Sequence, residues 1–153
     1  MENELSFSTR RRVFLIQMIY ALMTNHSNIH SIDEKNILAV VKNSSVASRY
    51  RARDDFKESN FDIQILLQII EKLQMIDELI LKNCNSGSLE RLSKVVLCIL
   101  RVGAYELRYA PHKYSIANII RDYLNIAVAF EHEPESGFIN GILDKVSSDL
   151  GQS

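Results

Sequence analysis

Glycine and proline are scarce in this chain, which holds 5 and 2 of them among its 153 residues. Because these two residues mark turns and interrupt regular structure, their scarcity favours long continuous elements. Apolar residues recur at helical spacing nearly throughout, and no stretch shows the alternation typical of a β-strand. The pattern predicts an all-α fold.

Cysteine is also scarce, and the chain lacks the motifs of common cofactor sites. Cys84 and Cys98 do not make a disulfide framework, and Cys98 lies in the apolar segment VVLCILR, where a buried thiol is expected. No glycine-rich phosphate loop is present, so we expect no nucleotide cofactor. His26 and His30 have no neighbouring carboxylate or cysteine, so no metal site is predicted. Nothing in the sequence indicates catalysis.

Neither sign of charge dominates, because the net charge is -1 and the sequence pI is about 6.4. Any nucleic-acid site must therefore be a local patch or be completed by a partner. The apolar run from Val13 to Met23 is broken by Gln17 and Tyr20, and it is too short to span a bilayer. We expect a cytoplasmic protein without a membrane segment, folded as a single domain over residues 1–153.

The apolar spacing predicts six main helices. They cover about 9–24, 31–43, 61–82, 88–109, 116–131 and 135–150. The predicted N-caps include Ser8 or Thr9 for the first helix, Ser31 for the second and Ser88 for the fourth. The small-residue linker 83–87 is expected to divide the molecule into two helical halves.

Two further features concern the connections and the packing of these helices. The segment 44–60 is mixed in charge and poor in aliphatic residues, which predicts a short helix or a mobile connection. Its arginines, Arg49, Arg51 and Arg53, are close in sequence to two aspartates that can pair with them, Asp54 and Asp55. Gly103 in the fourth helix would cost roughly 1 kcal/mol against alanine, which predicts a close helix crossing there.

The stretch TRRRVFLIQMIY places three consecutive arginines, Arg10, Arg11 and Arg12, directly before an apolar helix. Arginines in a first turn oppose the helix dipole, so a sequence selected only for stability would avoid them. With a start near Ser8 or Thr9, the arginines and the free N–H groups would form one electropositive spot suited to phosphate. The alternative is a solvated, frayed terminus.

Three separated motifs give the chain a family resemblance: RRRVFLIQMIY from Arg10, ILRVGAYEL from Ile99 and FINGILDKV from Phe138. Together and in this order they resemble the NusB family of transcription antitermination factors. The resemblance implies a compact all-α domain of two helical halves without enzymatic activity. It also implies binding of boxA RNA in nascent ribosomal transcripts, with a small-subunit ribosomal protein acting as NusE, in the RNA polymerase antitermination complex.

The resemblance also implies roles for individual residues. Arg10, Arg11 and Arg12 match the arginine-rich N-terminus expected to contact phosphate. Gln17 and Tyr20 match the QxxY pattern and would face RNA, or else support the core. Phe138 would lie near the RNA, where an unpaired base could stack on its ring. The alternative is that Phe138 packs in the protein core.

A partner-facing surface is implied near Glu90, Tyr105 and Glu106. Asn140, Gly141 and Asp144 are expected to be structural, with Gly141 permitting close helix packing.

The chain departs from the family pattern at four positions. In the predicted fifth helix, Arg121 and Tyr123 occupy positions where the family usually has asparagine and alanine. Before that helix, Ser115 occupies the position of a usual proline. After it, Pro134 occupies the position of a common acidic residue. Contacts made at these positions in relatives would be lost or replaced here. Because the loop holding Pro134 borders Phe138, RNA preference could differ.

Two other functions fit a helical chain of this kind. Certain rRNA cytosine methyltransferases carry a similar helical module before the catalytic domain, but no cofactor glycine motif is present here. The second is a protein-interaction module that does not bind RNA, including a homodimer that masks the basic spot. Addition of RNA would dissociate a masking homodimer and leave an interaction-only protein unchanged.

Overall fold

The computed structural model describes residues 6–44, 59–85, 87–110, 114–130 and 132–149. This part of the chain forms seven α-helices and no strand, so the predicted all-α fold is confirmed. The helices are α1 (Phe7–Asn25), α2 (Glu34–Asn43), α3 (Ser59–Glu71), α4 (Leu73–Lys82), α5 (Lys94–Tyr109), α6 (Ile116–Ala129) and α7 (Ser136–Asp149). Among these helices, none has both the length and the hydropathy needed to cross a bilayer.

Short 3₁₀ turns precede three of the helices. They lie at Ile29–Ser31 before α2, at Leu89–Arg91 before α5 and at Glu133–Glu135 before α7. Most of the segment predicted as a short helix or a mobile connection falls outside the described residues. The charged residues named above for this segment, Arg49, Arg51, Arg53, Asp54 and Asp55, all lie there.

The helix starts correct several predicted caps. Ser6 caps α1, since its hydroxyl accepts the backbone N–H of Thr9 at 3.1 Å, and the predicted start at Ser8 or Thr9 is therefore wrong. Asp33 caps α2 instead of Ser31, because the 3₁₀ turn already takes up the preceding residues.

A 3₁₀ turn also moves the start of α5. Ser88 caps only this turn, while the hydroxyl of Ser93 accepts the N–H of Val96 at 3.1 Å and begins α5. The start of α6 at Ile116 agrees with the prediction, and Ser115 caps that helix.

A break at Lys72 divides the long helix predicted over 61–82. Lys72 adopts φ -98° and ψ 9°, outside the α region, and its carbonyl accepts the first α4 bond from Ile76 at 2.9 Å. The chain forms two compact units, Met1–Glu71 and Lys72–Ser153. Two helical units are therefore present, but the predicted boundary at 83–87 is wrong.

The first unit is built around α1, which contacts both α2 and α3. Apolar side chains at helical spacing fill its interior. The buried members are Phe14, Leu15, Ile16, Met18, Ile19, Leu22, Ile29, Ile37, Val41, Leu66, Ile69 and Ile70. Burial on nearly all sides of α1 agrees with the apolar run that follows the arginines in the sequence.

The second unit is built around α5, which contacts α4, α6 and α7. Gly103 lies at the crossing with α7, where an added Cβ would sit 3.0 Å from Cδ2 of Leu143. The predicted close crossing at Gly103 is confirmed. At Gly141 a Cβ would meet no atom within 4 Å, so the expected packing role of Gly141 is wrong.

A buried ion pair joins α4 to α5 within this unit. The guanidinium of Arg101 donates to both carboxylate oxygens of Asp77, with Nε–Oδ1 and Nη2–Oδ2 distances of 2.8 Å. This bidentate geometry satisfies two lone pairs of the buried carboxylate. One helical turn earlier on α5, the thiol of Cys98 is fully buried, as the sequence predicts.

Candidate nucleic-acid interface

The position of the N-cap changes the setting of the three arginines. Because Ser6 caps α1, Arg10 lies after the first turn, and its own N–H donates to the carbonyl of Ser6 at 3.0 Å. The N–H groups left over at a helix start belong to the residues before Arg10. The predicted convergence of the arginines with free N–H groups is therefore wrong.

Helical phase separates the three arginine side chains. Successive residues of an α-helix point about 100° apart, so Arg10, Arg11 and Arg12 leave α1 in different directions. Arg12 projects among the apolar positions and is only 8% exposed, whereas Arg10 and Arg11 are partly exposed. Arg12 thus presents little surface to a ligand, and its predicted phosphate contact stays a prediction.

Arg11 is bound within the first unit by a carboxylate of α3. Its Nε donates to Oδ1 of Asp62, whose side chain is 1% exposed. A buried carboxylate requires such a partner, because an unpaired charge in the interior is costly. Arg11 therefore joins α1 to α3, and much of its charge is offset by Asp62.

Phe7 is a residue of this region that sequence reasoning missed. The Cζ atoms of Arg10 and Arg11 lie 5.8 Å and 4.5 Å from the centroid of its ring. Both guanidinium groups are within the range of cation–π attraction, which restricts their motion. The available signal was the helical spacing of Phe7 to the two arginines, three and four residues later.

Arg10, Gln17 and Tyr20 share one side of α1. Their separations of seven and three residues are close to whole turns of a helix. Gln17 is partly exposed and Tyr20 is 40% exposed, in contrast to the buried residues on the opposite side. The structure thus brings three of the predicted RNA-binding residues onto one accessible strip, and we call these three residues the α1 strip.

Phe138 lies in the second unit, near the start of α7. The residue is 38% exposed, which leaves apolar surface accessible to solvent. The preceding turn is held by His132, whose N–H donates to the carbonyl of Ala127 at 2.8 Å and whose Nδ1 lies 3.4 Å from Oε1 of Glu135. This turn, which contains Pro134, fixes where α7 begins.

The three predicted partner residues have different environments. Glu90 is exposed on the 3₁₀ turn before α5. Tyr105 is buried, and this burial raises the pKa of its hydroxyl. Glu106 accepts a hydrogen bond of 2.6 Å from the hydroxyl of Tyr123. Glu90 and Glu106 have accessible surface, whereas a partner could touch little of Tyr105.

Two of the family departures acquire a structural explanation. Tyr123 is fully buried on α6, and its hydrogen bond to Glu106 satisfies the hydroxyl inside the protein. Arg121 is exposed and lines an open cleft of about 380 Å³ between α6 and α7. Asn140 and Asp144 form part of the wall of this cleft.

The comparison with protein families covers nearly the whole chain. The model of the NusB family matches residues 9–148, which include most of α1, its three arginines and most of α7. The chain belongs to the NusB family. Phe7 lies just before the range matched by the NusB family model.

Relatives that carry the name transcription antitermination protein NusB occur in several bacteria. The relative from Borreliella burgdorferi is 30% identical over 145 residues, covering 91% of this chain and 92% of its own length. The Bacillus subtilis relative is 30% identical over 102 residues, covering 67% and 77%. That of Caulobacter vibrioides is 37% identical over 93 residues, covering 60% and 62%. No solved structure matches the chain.

Membership of the NusB family bears on the class of protein. NusB family members are regulatory antitermination factors, and the names of these relatives carry no enzymatic activity. The expectation of a regulatory protein instead of an enzyme is therefore confirmed. Among the described residues, no three His, Cys, Asp or Glu side chains are grouped as metal ligands would be.

Proposed function

We propose that this chain is a transcription antitermination factor that binds boxA-type single-stranded RNA. It would act in the cytoplasm with the small-subunit ribosomal protein that serves as NusE, as part of an RNA polymerase antitermination complex. The observation that carries the proposal is the α1 strip, in which Arg10, Gln17 and Tyr20 occupy one accessible side of a helix. Family membership supports the same role.

The strip offers three kinds of contact to a single strand of RNA. The guanidinium of Arg10 can pair with a phosphate, the amide of Gln17 can bond a base edge, and the ring of Tyr20 can stack on a base. Base stacking of this kind contributes about 1–3 kcal/mol. Phe138 would add a stacking surface in the second unit. RNA binding by this chain therefore combines a salt-dependent contact with salt-independent ones.

The three arginines have unequal parts in this proposal. Arg10 carries the phosphate contact, since it alone shares the strip with Gln17 and Tyr20. Arg11 positions the end of α1 through Asp62, and Arg12 supports the fold from its buried position. The phosphate roles expected for Arg11 and Arg12 are thus secondary to structural ones.

A protein partner fits the charge of the chain. With a net charge of -1, the molecule offers RNA only local basic patches, and a basic ribosomal protein would supply further charge. Glu90 and Glu106 are carboxylates suited to such a partner, and both have accessible surface. A homodimer that masks the α1 strip is the competing assembly, and light scattering with and without RNA distinguishes the two.

Arg10→Gln and Tyr20→Leu test the α1 strip separately. We expect Arg10→Gln to weaken boxA RNA binding about tenfold and to lower the log–log salt slope by about 0.7, the value for one phosphate of a single strand. Tyr20→Leu should weaken binding by about 1–3 kcal/mol with an unchanged slope, because stacking releases no counterions. Fluorescence anisotropy over a salt series, with the ribosomal protein present, measures both quantities.

The matched control for Arg10→Gln is Lys42→Gln. Lys42 is exposed on α2 of the same unit, so the variant removes one positive charge without touching the strip. We expect wild-type affinity and slope for this control. Equal slopes for Arg10→Gln and the wild type would overturn the assignment of the phosphate contact. Absence of any RNA binding by the wild type would leave an interaction-only protein.

A further inference from the structure

A cluster of two cations and a tyrosine lies in the second unit, outside the residues used above. The Nζ of Lys72 is 5.1 Å and the Cζ of Arg108 is 5.6 Å from the centroid of the Tyr109 ring. The ring of Tyr105 lies beside it, with centroids 6.3 Å apart. We call Lys72, Arg108 and Tyr109 the Tyr109 cluster.

The backbone explains why these residues meet. Lys72 occupies the break between α3 and α4, while Arg108 and Tyr109 end α5, which packs against α4. The contact thus joins the start of α4 to the end of α5. Cation–π attraction to one ring holds both cations in a restricted volume, which lowers the entropy cost of binding an anion.

In the part of the chain that the structure describes, no carboxylate pairs with the cations of the cluster. Among the described residues, neither Lys72 nor Arg108 forms an ion pair with a carboxylate, in contrast to Arg11 and Arg101. Lys72, Arg108 and Tyr109 are all partly exposed. Two positive charges that share one ring repel each other, and an anion between or beside them would relieve this repulsion.

We propose that the Tyr109 cluster binds the phosphate backbone of single-stranded RNA, as a contact additional to the α1 strip. The proposal rests on the RNA binding proposed above. RNA is favoured over an acidic protein segment because a planar guanidinium beside an aromatic ring offers both a phosphate fork and a stacking plane for a base. An acidic segment would use only the charge.

Chemical protection of Lys72 tests the cluster on the wild-type chain. Acetylation of lysine amines is measured by mass spectrometry with and without a boxA-type RNA oligonucleotide, and Lys145, exposed on α7, serves as the internal reference. We expect RNA to slow acetylation of Lys72 severalfold and to leave Lys145 unchanged. Equal rates for Lys72 with and without RNA would overturn the proposal. So would protection by a polyglutamate peptide but not by RNA, which indicates an acidic protein partner.

A charge-matched pair of double variants gives the second readout. Lys72→Gln with Arg108→Gln should lower the log–log salt slope of RNA binding by about 1.4, or about 0.7 per lost phosphate contact. Arg91→Gln with Lys145→Gln removes the same two residue types from exposed positions of the same unit and should keep the wild-type slope. Thermal unfolding of each variant shows whether the fold is retained.

The outcomes separate this proposal from the one on which it rests. If Arg10→Gln weakens binding while the Lys72 and Arg108 double variant behaves like its charge-matched control, only the Tyr109 cluster is rejected. If the wild-type chain binds no RNA, both proposals fall. If all three residues affect the slope and Lys72 is protected, both stand.

Discussion

At the scale of single residues, the thiol of Cys98 shows how burial controls ionisation. Cys98 is fully buried on α5, and burial raises the pKa of its thiol from 9.0 to about 12. The positive charges of Arg101 and Lys94 act in the opposite direction but are outweighed. The folded protein therefore holds this thiol in its neutral form, and the unfolded chain loses that proton more readily.

This difference predicts a loss of stability in alkaline solution. Below pH 9 both states keep the proton, whereas above it the unfolded chain releases it first and the free energy of unfolding falls. We expect a contribution of up to about 1.4 kcal/mol per pH unit from Cys98 as the pH rises from about 9 toward 12. Cys98→Ala should lack this contribution, as measured by urea unfolding at a series of pH values.

Cys84 provides the control for this measurement. Cys84→Ala removes the other, partly buried cysteine and leaves Cys98 in place, so this variant should keep the contribution of Cys98 to the pH dependence of the unfolding free energy. A neutral thiol is also a poor nucleophile, and a thiol reagent should modify Cys84 faster than Cys98 in the folded chain. Parallel pH curves for Cys98→Ala and the wild type would contradict the prediction.

The arginines show what can be read from sequence at this scale. The sequence shows how many arginines there are and where they lie. The prediction that all three contact phosphate, however, treats Arg10, Arg11 and Arg12 as equivalent. Helical phase would have separated them, because only Arg10 falls on the side of Gln17 and Tyr20. The pairing of Arg11 with Asp62 could not be predicted, since the two residues are 51 positions apart and meet only through packing.

At the scale of helices, the crossing of α5 and α7 at Gly103 is sensitive to one methyl group. Gly103→Ala would gain about 1 kcal/mol of helix propensity and lose about 1–3 kcal/mol by crowding Leu143. Since Leu143 is itself fully buried, it has little space to move away. We expect a net loss in the free energy of unfolding, measured in urea.

Gly141→Ala is the matched comparison on α7. No atom lies within 4 Å of the Cβ that it adds, so this variant should be more stable than the wild type by up to about 1 kcal/mol. Leu143→Val, combined with Gly103→Ala in a double-mutant cycle, should show favourable coupling, because it shortens the crowded side chain. Stabilisation by Gly103→Ala alone would argue against the close crossing.

Helix positions were largely predictable, and helix starts were less so. The spacing of apolar residues located every main helix of the described chain, because each must bury one face. Near the starts of α1, α2 and α5 more than one polar residue could act as the cap, and the 3₁₀ turns before α2 and α5 have little signature in the sequence. The break at Lys72 occurs in the text EKLQ without glycine or proline, so only packing in three dimensions reveals it.

At the scale of the whole molecule, the charge balance limits how RNA can be bound. The net charge of -1 makes the attraction local, and Arg10, Lys72 and Arg108 are the candidate phosphate contacts. Three contacts with a single strand predict a log–log salt slope of about -2 for the chain alone. If the proposed ribosomal protein binds the same RNA, adding it should steepen the slope, because its own cations would also contact phosphate.

A salt titration of the isolated chain and of its complex measures this difference. A slope steeper than about -4 for the isolated chain would require basic contacts beyond those three residues. An unchanged slope on adding the ribosomal protein would show that the partner provides no phosphate contacts. The same titration in the presence of a non-interacting protein of equal concentration controls for crowding.

The buried pair of Asp77 and Arg101 has a consequence for how α4 and α5 find their alignment during folding. If one helix slid along the other by a turn, the two buried charges would lose each other as partners, at a cost of several kcal/mol. Apolar contacts alone distinguish such neighbouring alignments weakly, because one aliphatic side chain can often replace another. The ion pair therefore excludes misaligned packings of α4 on α5 and selects a single register for the two helices.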